Sequence, residues 1–359
     1  MGCGGANDRT KSNEELDELK RLEKLEKLEN EKNKQKEAEL KEQLKKDKKK
    51  KANKDLDDNK DDDNENNIDN NDDNEQKKTD NKIKKQKEKT PEEIKLEEEI
   101  LNYIKEFMGD DEGTLDFSKK EFDLEKFKLF ANSDHAKNIK SLVFGKKNKI
   151  GIEGLKVILD SDKFINLTCI DLESNNIGDE GIKLLAESPN AEKLISLNLG
   201  DNNITDIGLK YFAQSKYLKN LESLNLSWNE ITKVGINEFS VSDNVKSVIS
   251  LNLRGNNLKD PGVRMLVVPG SNLINLKQID LGRNNIGDEG VRSLAKAAIL
   301  ENLTNLDLYD NSIGDPGIRY LMESEDLIRI KSIDVRKNYL IAESDQLKIE
   351  DVKHVLFID

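Results

Sequence analysis

From Ile139 onward one apolar pattern recurs every 27 or 28 residues, and that period constrains the fold more than any other feature of the chain. It reads L-x-x-L-x-L-x-x-N-x-I/L, with a glycine four residues later. The clearest copies are Leu167, Ile170, Leu172, Asn175, Ile177, Gly181 and Leu194, Leu197, Leu199, Asn202, Ile204, Gly208. Others begin at Leu221, Val248, Leu276 and Leu303. The first copy (Ile139, Leu142, Phe144) carries one extra residue before Asn148 and Ile150. The last (Ile330, Ile333, Val335, Asn338, Leu340) lacks the downstream glycine and apolar helix, as terminal repeats do. A unit this short cannot bury its apolar face alone, so neighbouring units must stack.

Within a unit, a short alternating run such as Leu197-Asn198-Leu199 reads as a strand with its leucines inward. The next segment reads as a helix with an aspartate N-cap, at Asp179, Asp206, Asp260, Asp288 and Asp315. Pro261 and Pro316 fall where the first helical residue is expected, and Ile182, Leu185 and Ala186 give an apolar helix face. Strand and helix alternating at this period form a parallel sheet inside a curve, with helices outside. The pattern resembles the leucine-rich-repeat family, in its ribonuclease-inhibitor-like branch, shared with Ran GTPase-activating proteins and the repeat domains of NOD-like receptors. The resemblance covers eight repeats, 139–340, and implies an α/β solenoid, a horseshoe whose concave surface binds another protein.

The asparagines Asn175, Asn202, Asn229, Asn256, Asn284, Asn311 and Asn338 form one column. The expected role is structural: an amide both donates and accepts, so it satisfies backbone groups where the chain leaves the strand. On the concave side, one column reads Val143, Asp171, Asn198, Asn225, Asn252, Asp280, Asp307 and Asp334. The column before it reads Ser141, Cys169, Ser196, Ser223, Ser250, Gln278, Asn305 and Ser332. Either these line an open polar groove for a partner or they form a solvated face. The strand ends carry Trp228, Arg254, Arg283, Tyr309 and Arg336, residue types that dominate binding hot spots. With Asp280 and Asp307 they are the candidate partner site.

An enzyme is not expected. The only histidines, His135 and His354, lie outside the repeats, and no nucleophile–base pair, phosphate loop or metal-ligand cluster appears. No cofactor or metal is therefore expected. The alternative is a GTPase-activating protein for a small GTPase, which the resemblance to Ran GTPase-activating proteins suggests. The early loops Gly145-Lys146-Lys147 and Glu173-Ser174 hold no arginine, so Arg254 and Arg283 would be the only candidates. A net charge of −13 argues against nucleic acid, which needs a basic face. The two cysteines, Cys3 and Cys169, imply no disulfide framework and fit a cytoplasmic protein.

The chain before the repeats divides by composition. Residues 90–138 read as a helical cap: Thr90-Pro91-Glu92-Glu93 starts a helix whose face holds Ile94, Leu101, Ile104 and Met108, beside Ile100 and Phe107. A second stretch carries Phe117, Phe122, Leu124, Phe127 and Phe130. Residues 52–89 are an Asp/Asn/Lys-rich disordered linker. Residues 12–51 read as a charged helix, single or weakly coiled, because Leu16, Leu19, Leu22, Leu25 and Leu28 spiral around it and form no seam. In residues 1–11, Gly2 and Cys3 are candidates for myristoylation and palmitoylation, although Ala6 stands where the strict pattern asks for a hydroxyl. Two acyl chains would hold the protein at the inner face of a membrane. No segment is long and apolar enough for a span, and the start lacks the apolar core of a secretory signal. Residues 341–359 are expected to cap the last repeat, and the chain is expected to be a monomer.

Overall fold

The computed structural model describes residues 90–109 and 113–339, together with the backbone of 355–357. The acylation candidates Gly2 and Cys3, the charged helix and the linker lie outside the described residues, as does most of 341–359.

Helix α1 (Pro91–Lys105) starts on a capping box. Thr90 Oγ accepts from Glu93 N at 3.2 Å, and Thr90 N donates to the Glu93 carboxylate at 2.7 Å. It buries Ile100 and Ile104, while Ile94 stays outside at 47% exposure. The single expected face is therefore corrected. The helix stops at Lys105, so Phe107 turns into the core and Met108 is left at the surface, bridging antiparallel to Leu115.

A strand unforeseen in the sequence follows, β1 (Thr114–Asp116), paired parallel with β2 (Ser141–Val143). The capping segment thus contributes a strand as well as α1 and α2 (Leu124–Ala131). Its phenylalanines close the open end of the solenoid. Phe117 stacks on Phe144 of the first repeat at 5.3 Å, and Phe127 lies 6.1 Å from Phe164. Each such pair contributes roughly 0.5–1.5 kcal/mol beyond its buried area.

The repeats then alternate helix and strand: α3 (Gly151–Asp160), β3 (Cys169–Asp171), α4 (Gly178–Glu187), β4 (Ser196–Asn198), α5 (Asp206–Gln214), β5 (Ser223–Asn225) and α6 (Lys233–Ser240). They continue through β6 (Ser250–Asn252), α7 (Lys259–Leu266), β7 (Gln278–Asp280), α8 (Asp288–Ala295), β8 (Asn305–Asp307), α9 (Asp315–Met322) and β9 (Ser332–Asp334). The backbone of Val355–Phe357 adds β10, parallel to β9. The sheet runs β1 to β10 in sequence order, all parallel. Its register joins equivalent residues, such as Leu197 to Leu224 to Leu251. These central leucines are buried, and with the helix faces they form one continuous core.

The aspartates at the helix starts do not cap their own helices. Asp179 is the second residue of α4, and its carboxylate reaches forward to the next unit, accepting from Thr205 N at 2.8 Å, Thr205 Oγ at 2.7 Å and Gly208 N at 2.9 Å. Asp206 does the same for Thr232, Asp260 for Gly287, and Asp288 for Gly314 and Gly317. Helix axes stacked side by side bring each first turn within reach of the next one's free N–H groups. Pro316 is the second residue of α9 and Pro261 the third of α7, one and two places later than expected.

The helix starts fall into two conformations. Where the preceding unit offers its aspartate, the entry residue is extended: Thr205, Thr232, Gly287 and Gly314. Where that position holds Ile152 or Lys233, the next entry is left-handed, at Gly178 (φ 60°) and Lys259 (φ 54°). Their N–H groups turn instead to the carbonyls of Asn202 and Asn284, each at 2.9 Å. The aspartate thus decides which way the backbone enters the helix.

Candidate functional site: the strand-end rim and concave groove

Strands β3 to β9 each end on an Asp or Asn whose side chain accepts from the N–H two residues on. Asp171 bonds Glu173 N, Asn252 bonds Arg254 N, Asp280 bonds Gly282 N, Asp307 bonds Tyr309 N and Asp334 bonds Arg336 N, all at 2.8–3.1 Å. The polar column on the concave side therefore builds turns as well as facing outward, a role short-range Asx chemistry provides. Ser250, Gln278, Asn305 and Ser332 stand beside it in register.

After the turn every chain segment passes through a left-handed residue: Ser174, Asp201, Trp228, Gly255, Arg283, Asp310 and Lys337, with φ between 55° and 69°. This aims each N–H at the next unit; Trp228 N donates to Arg254 O at 2.7 Å and Arg283 N to Tyr309 O at 2.9 Å. A bulky residue in this region is unfavourable by roughly 1–2 kcal/mol. Glycine occupies only Gly255 in this column.

The asparagine column lies behind it. Asn202 is fully buried; its Oδ1 accepts from Asn175 N and Ile177 N, while its Nδ2 donates to Leu172 O and Gly200 O. Asn229 and Asn311 repeat the pair of accepted bonds, and Asn175, Asn256, Asn284 and Asn338 each accept from one such N–H. Asn148 extends it into the first repeat, donating to Phe117 O and Phe144 O.

The five rim residues form two stacks, each built over a glycine. Trp228 lies across Gly255, where an added Cβ would meet its ring at 2.7 Å. The Arg283 guanidinium sits 5.4 Å from that ring and donates from Nε to Asp310 Oδ2 at 2.8 Å. Trp228 is thereby fixed yet 46% exposed. Arg254 crosses Gly282, whose added Cβ would lie 2.6 Å from Nη1, and reaches the Tyr309 ring at 4.8 Å. It also faces Asp307 at 3.4 Å and Asp280 at 3.6 Å. Arg336 forks onto Asp334 at 3.0 and 2.6 Å and lies 6.0 Å from Tyr309. Gly255, Gly282 and Asp310 belong to this site and are not singled out by residue type. The signal for the glycines is positional: each follows a bulky rim residue by one repeat.

Below the rim, the concave face over β6–β9 is a groove of about 470 Å³ lined by Ser250, Gln278, Asn305, Asp280, Asp307 and Arg336 among others. Burial pushes the Asp280 and Asp307 carboxyls above the ordinary carboxylate range, against the turn N–H each accepts, and the Asp307 charge adds to the effect on Asp280. The Arg336 hydrogen bonds pull Asp334 the other way. Among the described residues no group of three or more His, Cys, Asp or Glu side chains could hold a metal ion, and no helix is long and apolar enough to cross a membrane.

The repeat-family comparison agrees with this architecture. The leucine-rich-repeat family model matches residues 165–186, 190–213, 217–240, 246–267, 272–295 and 300–322. No curated protein sequence matches the chain. Among solved structures, an internalin from Listeria monocytogenes aligns at 18% identity and a TM-score of 0.43, over 66% of this chain and 71% of its own. On the repeated matches, the register of the parallel sheet and the helix after each strand, residues 165–322 of this chain are a run of leucine-rich repeats.

Proposed function

We propose that the chain is a protein-binding adaptor whose partner docks on the strand-end rim and concave groove of the later repeats, through Trp228, Arg254, Arg283, Tyr309, Arg336, Asp280 and Asp307. One observation carries the reading. Trp228 is held in a left-handed conformation, half exposed, between Gly255 and Arg283. A smaller residue would meet less strain there, and a preorganised exposed aromatic offers contact area with little ordering cost on binding. The test is affinity purification with the intact chain and with Trp228→Ala/Arg283→Ala, quantified by mass spectrometry. The double variant should keep the wild-type melting profile and lose the specific partner. Capture of the same proteins by both would overturn the reading.

Acylation of Gly2 and Cys3 would tether this adaptor at the inner face of a membrane, since one chain binds only reversibly and two anchor stably. Labelling with a myristate analogue tests that; an unlabelled wild-type chain removes it. The GTPase-activating alternative finds no support at the rim. Arg254 is engaged by Asp280, Asp307 and Tyr309, and Arg283 by Asp310 and Trp228, so neither extends freely toward a phosphate.

A further inference from the structure

We propose that the groove over β6–β9 seats a cationic side chain, lysine or arginine, carried by a basic segment of the docked protein. The proposal rests on the docking reading above and names the chemistry of its partner. Among the described residues the groove is an unpartnered face of the sheet, and their charges do not balance. Three carboxylates border it, Asp280, Asp307 and Asp334, against two guanidinium groups, Arg254 and Arg336, which leaves one negative charge in excess.

The imbalance is local. Arg336 closes on Asp334 in a forked pair. Arg254 alone serves both Asp280 and Asp307, at 3.6 and 3.4 Å. A good charged hydrogen bond is about 2.7–2.9 Å. The same guanidinium also lies against the Tyr309 ring at 4.8 Å and over Gly282. Each carboxylate gives Oδ1 to its turn N–H, and Asp280 Oδ2 accepts no hydrogen bond among the described residues. Both side chains are only a quarter to a third exposed. An arriving ammonium or guanidinium would therefore meet half-desolvated carboxylates, a setting in which pairing is stronger than at an open surface. Burial pushes both carboxyls upward, and the neighbouring Asp307 charge adds to the push on Asp280. An anionic ligand would face the reverse.

The test uses the full chain and an acetylated hexalysine amide, with hexaglutamate as its opposite. Binding is read from the anisotropy of the labelled peptide. The variant is Asp280→Asn/Asp307→Asn. Asparagine keeps the Oδ1 acceptor of the turn, as Asn252 and Asn225 already do one and two strands before Asp280. Should that variant melt early, Asp280→Asn alone replaces it. The wild type should bind hexalysine saturably, and the variant at least tenfold more weakly. Hexaglutamate should not saturate. Equal affinity in wild type and variant places the peptide elsewhere, the acidic run near Asp57–Asp63 included, and overturns the proposal. If hexalysine fails while Trp228→Ala/Arg283→Ala still loses its protein, the docking reading stands and the cation falls alone.

Discussion

Asn256 serves two repeats at once. Its Oδ1 accepts from Ile231 N, and its Nδ2 donates to Leu226 O and to Leu253 O in its own unit. Replacing it by alanine strands these backbone groups without water, a loss of about 1–3 kcal/mol for the pair of repeats. Asn256→Ala should lower the melting temperature while leaving partner affinity at the folded protein unchanged; an unaltered melting curve would contradict the ladder's role. Asp280 makes the opposite case. Its carboxyl holds its proton more tightly folded than unfolded, so its ionised form opposes folding at neutral pH, and that penalty disappears as pH falls through the raised value. Asp280→Asn should therefore melt higher than wild type near pH 7, with the gap closing as pH falls toward the ordinary carboxylate range. A variant that melts below wild type near pH 7 would show that Arg254 dominates instead. At this scale the sequence marks residue types well. Trp228, Arg254, Arg283, Tyr309 and Arg336 are visible as a cluster because the repeat period aligns them. The glycines under them are not, because their meaning is steric and lies one repeat away.

Element boundaries show where local reasoning stops. The aspartates near Asp206 mark helix starts correctly, but their hydrogen bonds cross to the following unit, 26–29 residues on. No local cap rule reaches that far. The consequence is a coupled junction: aspartate in one helix selects an extended entry in the next. Asp206→Ala removes the acceptor of Thr232 N and Thr232 Oγ and should cost about 1–2 kcal/mol, the usual value of a helix cap. The converse is sharper. Lys233 stands where its neighbours have aspartate, and Lys259 takes a left-handed entry. Lys233→Asp combined with Lys259→Thr recreates the Asp206–Thr232 junction. It should raise stability by roughly 1 kcal/mol through the cap gained and the left-handed strain lost. A denaturant midpoint below that of wild type would refute the coupling, and it would leave the two conformations of the helix start without a cause.

The whole molecule is a stack whose strands and helices pair neighbouring units, with rim side chains such as Arg254 reaching two units on, so its stability should be felt locally along the axis. The period made the solenoid legible from Ile139 onward. The strand β1 was not legible, because Thr114–Asp116 has only one inward residue, Leu115, and no repeat spacing before it. What seals that end is aromatic packing, centred on Phe117, which is fully buried against Phe107, Phe122, Phe127 and Phe144. Phe117→Ala opens a cavity there and should cost about 3–5 kcal/mol. In a globular core that loss would be shared by the entire domain. Here it should fray one end. Amide exchange should quicken at Leu142 and Ile170, whose strands lean on the cap, and stay slow at Leu306 and Ile333, which are held by units far from it. Uniform loss of protection along the sheet would mean that β1 to β9 fold as one cooperative body, and the rim at β5–β9 would then depend on the cap for its rigidity.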